Sequence, residues 1–312
     1  MSVLSPARRS AVDRTTPRRP RFRGQMRDLP LAIAFILPAT IGFGVFLVWP
    51  SIRGIWLSFT DYSVFQPGKF VGLDNYRRML GDPVFWASMR TTVYYVVVNI
   101  AVQTLVALLL AVLLSRLTKS MVMRGIILTP YLVSNVVTAL LWLLLLDYQL
   151  GIVNELLDWV GIGRQSFWGN PTLVVPTIAM VNVWRHVGYT ALLIFAGLQT
   201  ISPQVYEAAK VDGASEWSMF WRITLPLLRP YLAMVLIVTS IGSFQVFDTV
   251  SVATQGGPAN ASNVIQYYIY NVAFGRYDFG YASAMSVALL VVLSVITVVQ
   301  YRLSRAGHSD SN

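Results

Sequence analysis

Six uninterrupted apolar runs fix what this chain can become. They fall at about 29–49, 92–114, 125–146, 172–198, 231–250 and 281–301, each close to the ~20 residues that carry a helix across the hydrocarbon core of a bilayer. The run "TTVYYVVVNIAVQTLVALLLAVLL" (Thr91–Leu114) is apolar on every side, whereas a helix lying on a water-soluble core keeps a polar face. Composition agrees, since 55% of residues are hydrophobic and 12% charged, about half the charge of an ordinary soluble domain. The expected fold is an all-α polytopic membrane protein with six transmembrane helices.

Lysine and arginine orient the spans, because they gather on the cytoplasmic side. The tail Met1–Asp28 holds eight arginines, and the short connection Ser115–Arg124 holds three bases and no acid. Both are therefore expected in the cytoplasm. An even number of spans then returns the C-terminal tail, 302–312 with Arg302 and Arg305, to the same side. The third and fifth connections carry one base each and face outward, so Ser262 in the fifth is expected to be reachable from outside. The first outer loop, Pro50–Arg90, departs from the rule with five bases against three acids. The first apolar run lacks a small-residue cleavage site after it and is read as an uncleaved span. The net charge of +10 resides mostly in the N-terminal tail, where attraction to anionic lipid explains it without nucleic acid. Cysteine is absent, which excludes disulfides and thiolate metal sites.

One connection, Gln199–Pro230, is unusually polar. It contains "EAAKVDGASEWSMFWRITLPLLRP" (Glu207–Pro230). Ser202-Pro203 reads as a helix start, with Ser as cap and Pro at the first helical position. Gly213 permits a left-handed turn that ends this short helix. Ser215 caps a second helix, in which Trp217, Phe220, Trp221 and Thr224 recur at helical spacing, and Pro226 and Pro230 are expected to close it. Such an aromatic face either packs under the protein's own helices or in interfacial lipid, or docks in the groove of a partner. Spacing alone leaves both open.

The order "EAA", three residues, "GA", then Phe220, Ile223, Leu225-Pro226 and Pro230 resembles the EAA loop of ABC importer permeases. "FVGLDNY" (Phe70–Tyr76) and "GGP" (Gly256–Pro258) are similar to outer-loop signatures of the carbohydrate branch, the maltose and glycerol-phosphate type. The resemblance implies a type I ABC importer permease fold in the inner (cytoplasmic) membrane, with both termini inside. It divides the chain into a basic tail 1–28, a permease domain 29–301 containing the coupling loop 199–230, and a tail 302–312. It further implies a second permease subunit, two ATPase subunits and an external substrate-binding protein. The loop would sit in a cleft of the ATPase through Glu207, Ala208, Ala209, Asp212, Gly213, Ala214, Trp217 and Phe220.

The chain holds no phosphate-binding G-x-x-x-x-G-K-[ST] loop, and its one Gly-Lys pair, Gly68-Lys69, is followed by Phe. ATP and Mg are thus expected on partner subunits. Of two histidines, His308 lies in the tail, and no metal-ligand spacing or catalytic constellation appears. The remaining chemistry is polar groups within spans, costly in lipid and therefore turned toward a bundle interior or cavity. Arg185 in "NVWRHVGY" is the most expensive, with Asn182, Trp184, His186 and Tyr189 beside it. Asn99 and Gln103 mark the second span, Asn135 the third, Gln245 and Asp248 the fifth. Aromatics with amide and guanidinium donors suit a sugar ring and its hydroxyls, although lone amides also bridge helices. Arg185 is either a substrate ligand or the partner of an acid. Asp248 is the available acid, and contact with it would require the fifth span to bend. The expected function is translocation of a sugar or sugar derivative, with no catalytic residues. The alternatives are a permease for a phosphate ester, amino acid or polyamine, and a six-span channel that works without ATP.

Overall fold

The computed structural model describes residues 29–117 and 120–306. The expected tail 1–28, the end of the second tail from 307, and Lys119 lie outside the described residues. Within them every regular element is helical, with three isolated bridges, Thr60–Phe70, Ser63–Gln66 and Ser63–Asp278. Of the described residues, those up to Arg53 form one compact unit and those from Gly54 onward a second. In the first, α1 (Leu29–Phe43) passes through a π turn (Gly44–Val48) into the start of α2 (Trp49–Leu57), whose last four residues belong to the second. The π turn ends two residues before Pro50 and a second, Phe220–Thr224, ends two residues before Pro226. Proline lacks an N–H and clashes with the carbonyl four residues back, so a widened turn ahead of it lets the helix continue.

The second unit is organised on α4 (Pro83–Leu117) and α8 (Val174–Leu198), which pack along each other, with α5 (Met121–Leu132) and α11 (Leu225–Phe244) covering α8 and α14 (Phe279–Ala306) covering α11. Small residues allow the close approach: Ala107, Ala111 and Ala191 are wholly buried, as lipid-embedded helices favour at their contacts. Gly188 is the extreme case, because a Cβ there would stand 2.0 Å from the carbonyl oxygen of Ile127 on α5. One buried cluster, with Leu114, Ile194, Leu228 and Val235, lies toward the 199–230 loop. Another, with Tyr95, Ile178, Ile265, Tyr281 and Met285, lies toward the opposite end.

Five helical stretches are long and apolar enough to span a bilayer, and a bent pair makes a sixth. That pair corrects the expected continuous third span: α5 and α6 (Asn135–Leu145) meet at 90° across Val133 and Ser134. Pro130 sits in the last turn of α5, and Val133 is extended at φ −73°, ψ 138°. The fifth span is also broken. Helix α11 ends at Phe244, and α12 (Asp248–Ala253) starts after Phe247 at φ −140°, ψ −55°. Both runs are continuous in hydropathy, so neither break is visible in composition. At the other end of the molecule, α14 continues to Ala306, taking Arg302 into its last turns, where a cation complements the helix dipole.

The end opposite the 199–230 loop is capped by α3 (Asp74–Gly81), α7 (Ile152–Trp159), α13 (Ile265–Tyr270) and the π turn Asn271–Gly275. Asn75 of the "FVGLDNY" stretch is buried and donates to the carbonyls of Ser58 (3.0 Å) and Thr60 (2.8 Å). Asp82 accepts hydrogen bonds from the hydroxyls of Tyr268 (2.6 Å) and Tyr281 (2.7 Å) and from the Val84 amide (2.8 Å). Burial alone would raise the Asp82 carboxyl, but these donors outweigh it and hold the group below its usual range. Burial and then the adjoining Asp82 push Tyr268 up to about 12, which keeps it a donor. Ser262, expected to be reachable from outside, is fully buried beneath the Gly256–Pro258 turn, with its hydroxyl on Thr254 Oγ1 (2.7 Å) and on the Gly257 carbonyl. A polar residue in a connecting loop is not for that reason exposed when the loop folds over it.

Candidate functional site

The two helix breaks and one face each of α4, α8 and α11 line an open cavity of about 200 Å³. From α4 come Tyr95, Asn99 and Gln103, and from α8 come Asn182, His186, Tyr189 and Thr190. Steps of three or four residues put each set on one helix face. Thr239 and Ser243 come from α11, Tyr131 and Asn135 flank the first break, and Gln245, Phe247, Asp248 and Thr249 flank the second. Non-helical backbone at such depth is tolerated where it lines a cavity, and discontinuous helices place freed backbone groups at transport sites.

The lining is a hydrogen-bonded network. Asn99 donates to Gln103 Oε1 (3.1 Å) and Ser243 Oγ (2.9 Å), and Gln103 donates to Thr190 Oγ1 (2.8 Å). The carbonyl oxygen of the Asn99 side chain is buried without a protein partner. Asn182 donates to Thr249 Oγ1 (3.2 Å) and to its own helix at Ile178 (2.9 Å). Asn135, the first residue of α6, donates to Asp248 Oδ2 at 2.6 Å, and Asp248 is the first residue of α12. The segments beyond the two breaks are thereby pinned at their starts, and α12 packs on α6. Tyr131 and Tyr189 stack with ring centres 4.6 Å apart and planes 11° apart, presenting an aromatic wall beside the amides.

Eight of the ten polar or aromatic residues anticipated along the pathway line this cavity: Asn99, Gln103, Asn135, Asn182, His186, Tyr189, Gln245 and Asp248. Arg185 and Trp184 do not. Trp184 stands edge-on to Trp142 at 5.5 Å. Arg185 uses Nε on the Val133 carbonyl (2.8 Å) and Nη1 on His186 Nε2 (2.8 Å), and its guanidinium lies 5.3 Å from the centre of the Tyr131 ring. It thus serves the carbonyl at the third-span break, and Asp248 interacts with its charge through space. Tyr95, Tyr131, Thr190, Thr239 and Ser243 were not anticipated. Tyr95 could have been found, since it sits one helical step before Asn99 and Gln103.

A second polar region is the 199–230 loop. Helix α9 (Pro203–Val211) has Pro203 at its first position, but Ser202 donates to Gln204 Oε1 (3.0 Å) and caps no amide. Gly213 has φ +76°. The Gly213 amide donates to Lys210 O (3.0 Å) and the Ala214 amide to Ala209 O (2.9 Å), the paired bonds of a glycine-ended helix. Ser215 caps α10 (Glu216–Met219) through the Ser218 amide (3.3 Å). Beyond it, the expected closure at Pro226 and Pro230 does not occur. The π turn absorbs Pro226, and helix continues through Pro230 into α11.

The two arms are tied by Tyr206 Oη and Thr224 Oγ1 at 3.0 Å. Glu216 pairs with Arg116 at the end of α4 (2.9 Å) and with Lys210 (3.6 Å). A cleft of about 560 Å³, lined by Arg116, Gln199, Tyr206, Glu207, Lys210 and Phe220 among others, separates the arms from α4 and α8. Trp217, Phe220 and Trp221 cluster with ring centres 5.4–6.4 Å apart. Trp217 is 71% and Trp221 49% exposed. Glu207, Ala208, Asp212 and Gly213 are exposed, whereas Ala209, Ala214 and Phe220 are half-buried.

Residues 84–306 match the family described as "Binding-protein-dependent transport system inner membrane component". The chain is 35% identical over 281 residues to the trehalose/maltose transport system permease protein MalF of Thermococcus litoralis, covering 89% of this chain and 95% of that one. It is 34% identical over 280 residues to the lactose transport system permease protein LacF of Rhizobium radiobacter, covering 87% and 93%. Among solved structures, a chain of a bacterial ABC transporter involved in the import of the acidic polysaccharide alginate superposes with a TM-score of 0.80 at 27% identity, over 91% of this chain and 98% of that one.

Proposed function

From the premise that this chain belongs to the binding-protein-dependent transport system inner membrane component family, we propose that it is the membrane-spanning subunit of an ATP-driven importer passing a sugar or sugar derivative received from an external binding protein. The observation that carries the saccharide reading is the cavity itself. It joins stacked Tyr131 and Tyr189 to a network of carboxamides and hydroxyls, an apolar wall for a ring face and neutral donors and acceptors for ring hydroxyls. Relatives are named for trehalose/maltose, lactose and an acidic polysaccharide, so the family favours a saccharide and leaves its charge open.

In this reading segment 29–301 is the permease domain and 199–230 the part that meets an ATPase. The exposed Trp217 and Trp221 supply the aromatic anchors that dominate protein contacts. Residues 1–28 and 302–312 face the cytoplasm with that loop. A second permease completes the pathway, and ATP and Mg reside on two ATPase subunits. Their closure moves the α9–α10 hairpin, and the helices continuous with it exchange inward and outward openings. The test is reconstitution of the chain with its partner permease, ATPases and external receptor in liposomes. ATP-dependent accumulation of a labelled saccharide is expected, with no ATP hydrolysis by the purified chain alone. ATP-independent, downhill flux of the same saccharide would overturn it.

A further inference from the structure

The electrical character of the cavity carries an inference that rests on the saccharide reading and narrows it. Among the lining residues, Asp248 is the one carboxylate, and no lysine or arginine is present. The histidine adds no charge. His186 Nδ1 lies 2.8 Å from the Asn182 carbonyl and must donate to it, while Nε2 faces the Arg185 Nη1 donor at 2.8 Å and must accept. Those two roles define a neutral imidazole. Arg185 is the nearby cation; it interacts with Asp248 through space but stands off the lining, with Nε on the Val133 carbonyl and Nη1 on His186.

Asp248 itself accepts from Asn135 at 2.6 Å and makes no ion pair among the described residues. Its other oxygen is available to a hydroxyl or an ammonium. A carboxylate, sulfate or phosphate brought into about 200 Å³ would lie close to this charge, and the lining itself offers no guanidinium or ammonium to bond it.

We propose that Asp248 is a charge filter, through which the cavity accepts neutral or amine-bearing saccharide units and rejects acidic ones. The family does not impose this, since a solved relative imports an acidic polysaccharide. The experiment uses the assembled transporter in nanodiscs without its external receptor, so that receptor selectivity does not enter. Equilibrium dialysis is run with radiolabelled glucose, glucosamine, glucuronate and glucose 6-phosphate. Glucose and glucosamine are expected to bind at least about tenfold more tightly than the two acids, a modest discrimination for juxtaposed like charges. Asp248→Asn is expected to reduce that gap to less than roughly threefold by strengthening the acids, and Asp248→Glu to preserve it. Equal binding of all four by the unaltered protein, or a gap unchanged in Asp248→Asn, overturns the filter. If Asp248→Asn fails to assemble, the unaltered protein and Asp248→Glu decide by the same ratio. Binding of none of the four overturns the saccharide reading and the filter with it.

Discussion

Arg185 donates its Nε proton to the backbone carbonyl of Val133 at 2.8 Å, and this bond joins the costliest side chain of the spans to the break in the third. A helix interrupted at Val133 and Ser134 leaves carbonyls without their usual amides, and hydrocarbon offers no water to replace them. A guanidinium has five N–H donors and an obligate charge; a carbonyl and a neutral imidazole take two of the donors, and Asp248 adds a through-space attraction.

Arg185→Gln is therefore expected to lower the thermal-inactivation midpoint of the purified protein, by the equivalent of about 1–3 kcal/mol for a buried acceptor left unpaired. Uptake is expected to fall for neutral and acidic saccharides alike, and Arg185→Lys to recover part of both, because an ammonium can still reach a carbonyl. Measurement of the midpoint beside uptake of both classes decides. Loss confined to acidic saccharides, with an unchanged midpoint, would show Arg185 to be a substrate ligand.

The side-chain stripes were legible and the breaks were not, for a physical reason. Asn99 and Gln103 advertise a buried face because a carboxamide in an apolar run has nowhere else to go, and Asn182 and His186 do the same on α8. The break at Val133 falls within an apolar run, and its consequence is a backbone carbonyl, which no residue type announces. The same holds at Gln245–Phe247, where the interruption of the helix sets Asp248 on the cavity beside Asn135. Tyr131 was missed because an aromatic in a span reads as lipid-facing until a partner such as Tyr189 is placed against it. Gly213 was the opposite case, a backbone requirement written in one residue, and its φ of +76° was expected from the sequence alone.

Topology is testable directly, because the chain has no native cysteine. Asn260→Cys is expected to react with an impermeant thiol reagent added outside intact cells, since Asn260 is exposed, and Ser262→Cys two residues on to stay unreactive, since Ser262 is buried. Asp212→Cys is expected to react only after the membrane is opened. Labelling of Asp212→Cys in sealed cells would place the 199–230 loop outside and remove it from any ATPase.

Acid is expected to loosen the cap opposite the 199–230 loop through Asp82. The carboxyl is held below its usual range, so its contribution is complete above about pH 4, the unfolded carboxylate value, and is lost as pH falls through the lower folded value. Asp82→Asn should lose about 1–2 kcal/mol at neutral pH, discounted for the partial exposure of the group. Its melting midpoint should converge with that of the unaltered protein as pH drops below the usual carboxylate range. Parallel midpoint curves for the two proteins across pH 3–7 would dissociate Asp82 from the stability of the cap.

Gly213→Val separates the roles of the loop and the spans. At φ +76° the residue lies where a β-branched side chain is strained by roughly 1–3 kcal/mol, although a Cβ would meet nothing within 4 Å. The penalty is thus conformational, and it is relieved only by rotating the junction between α9 and α10. That rotation breaks the Ala214 amide bond to Ala209 O and redirects the exposed rings of Trp217 and Trp221, the proposed anchor surface. No residue of the cavity changes. The mutant is expected to insert at normal abundance and to bind saccharide as before in the assembled complex, while stimulation of ATPase turnover by the loaded receptor falls at least about tenfold, the cost of misplacing one aromatic anchor worth ~2 kcal/mol. Gly213→Asn, whose side chain tolerates the left-handed region, should retain most of the coupling. Equal loss in Val and Asn variants would point to a steric clash with the ATPase at this position, and unchanged stimulation in both would leave the hairpin no part in transmission.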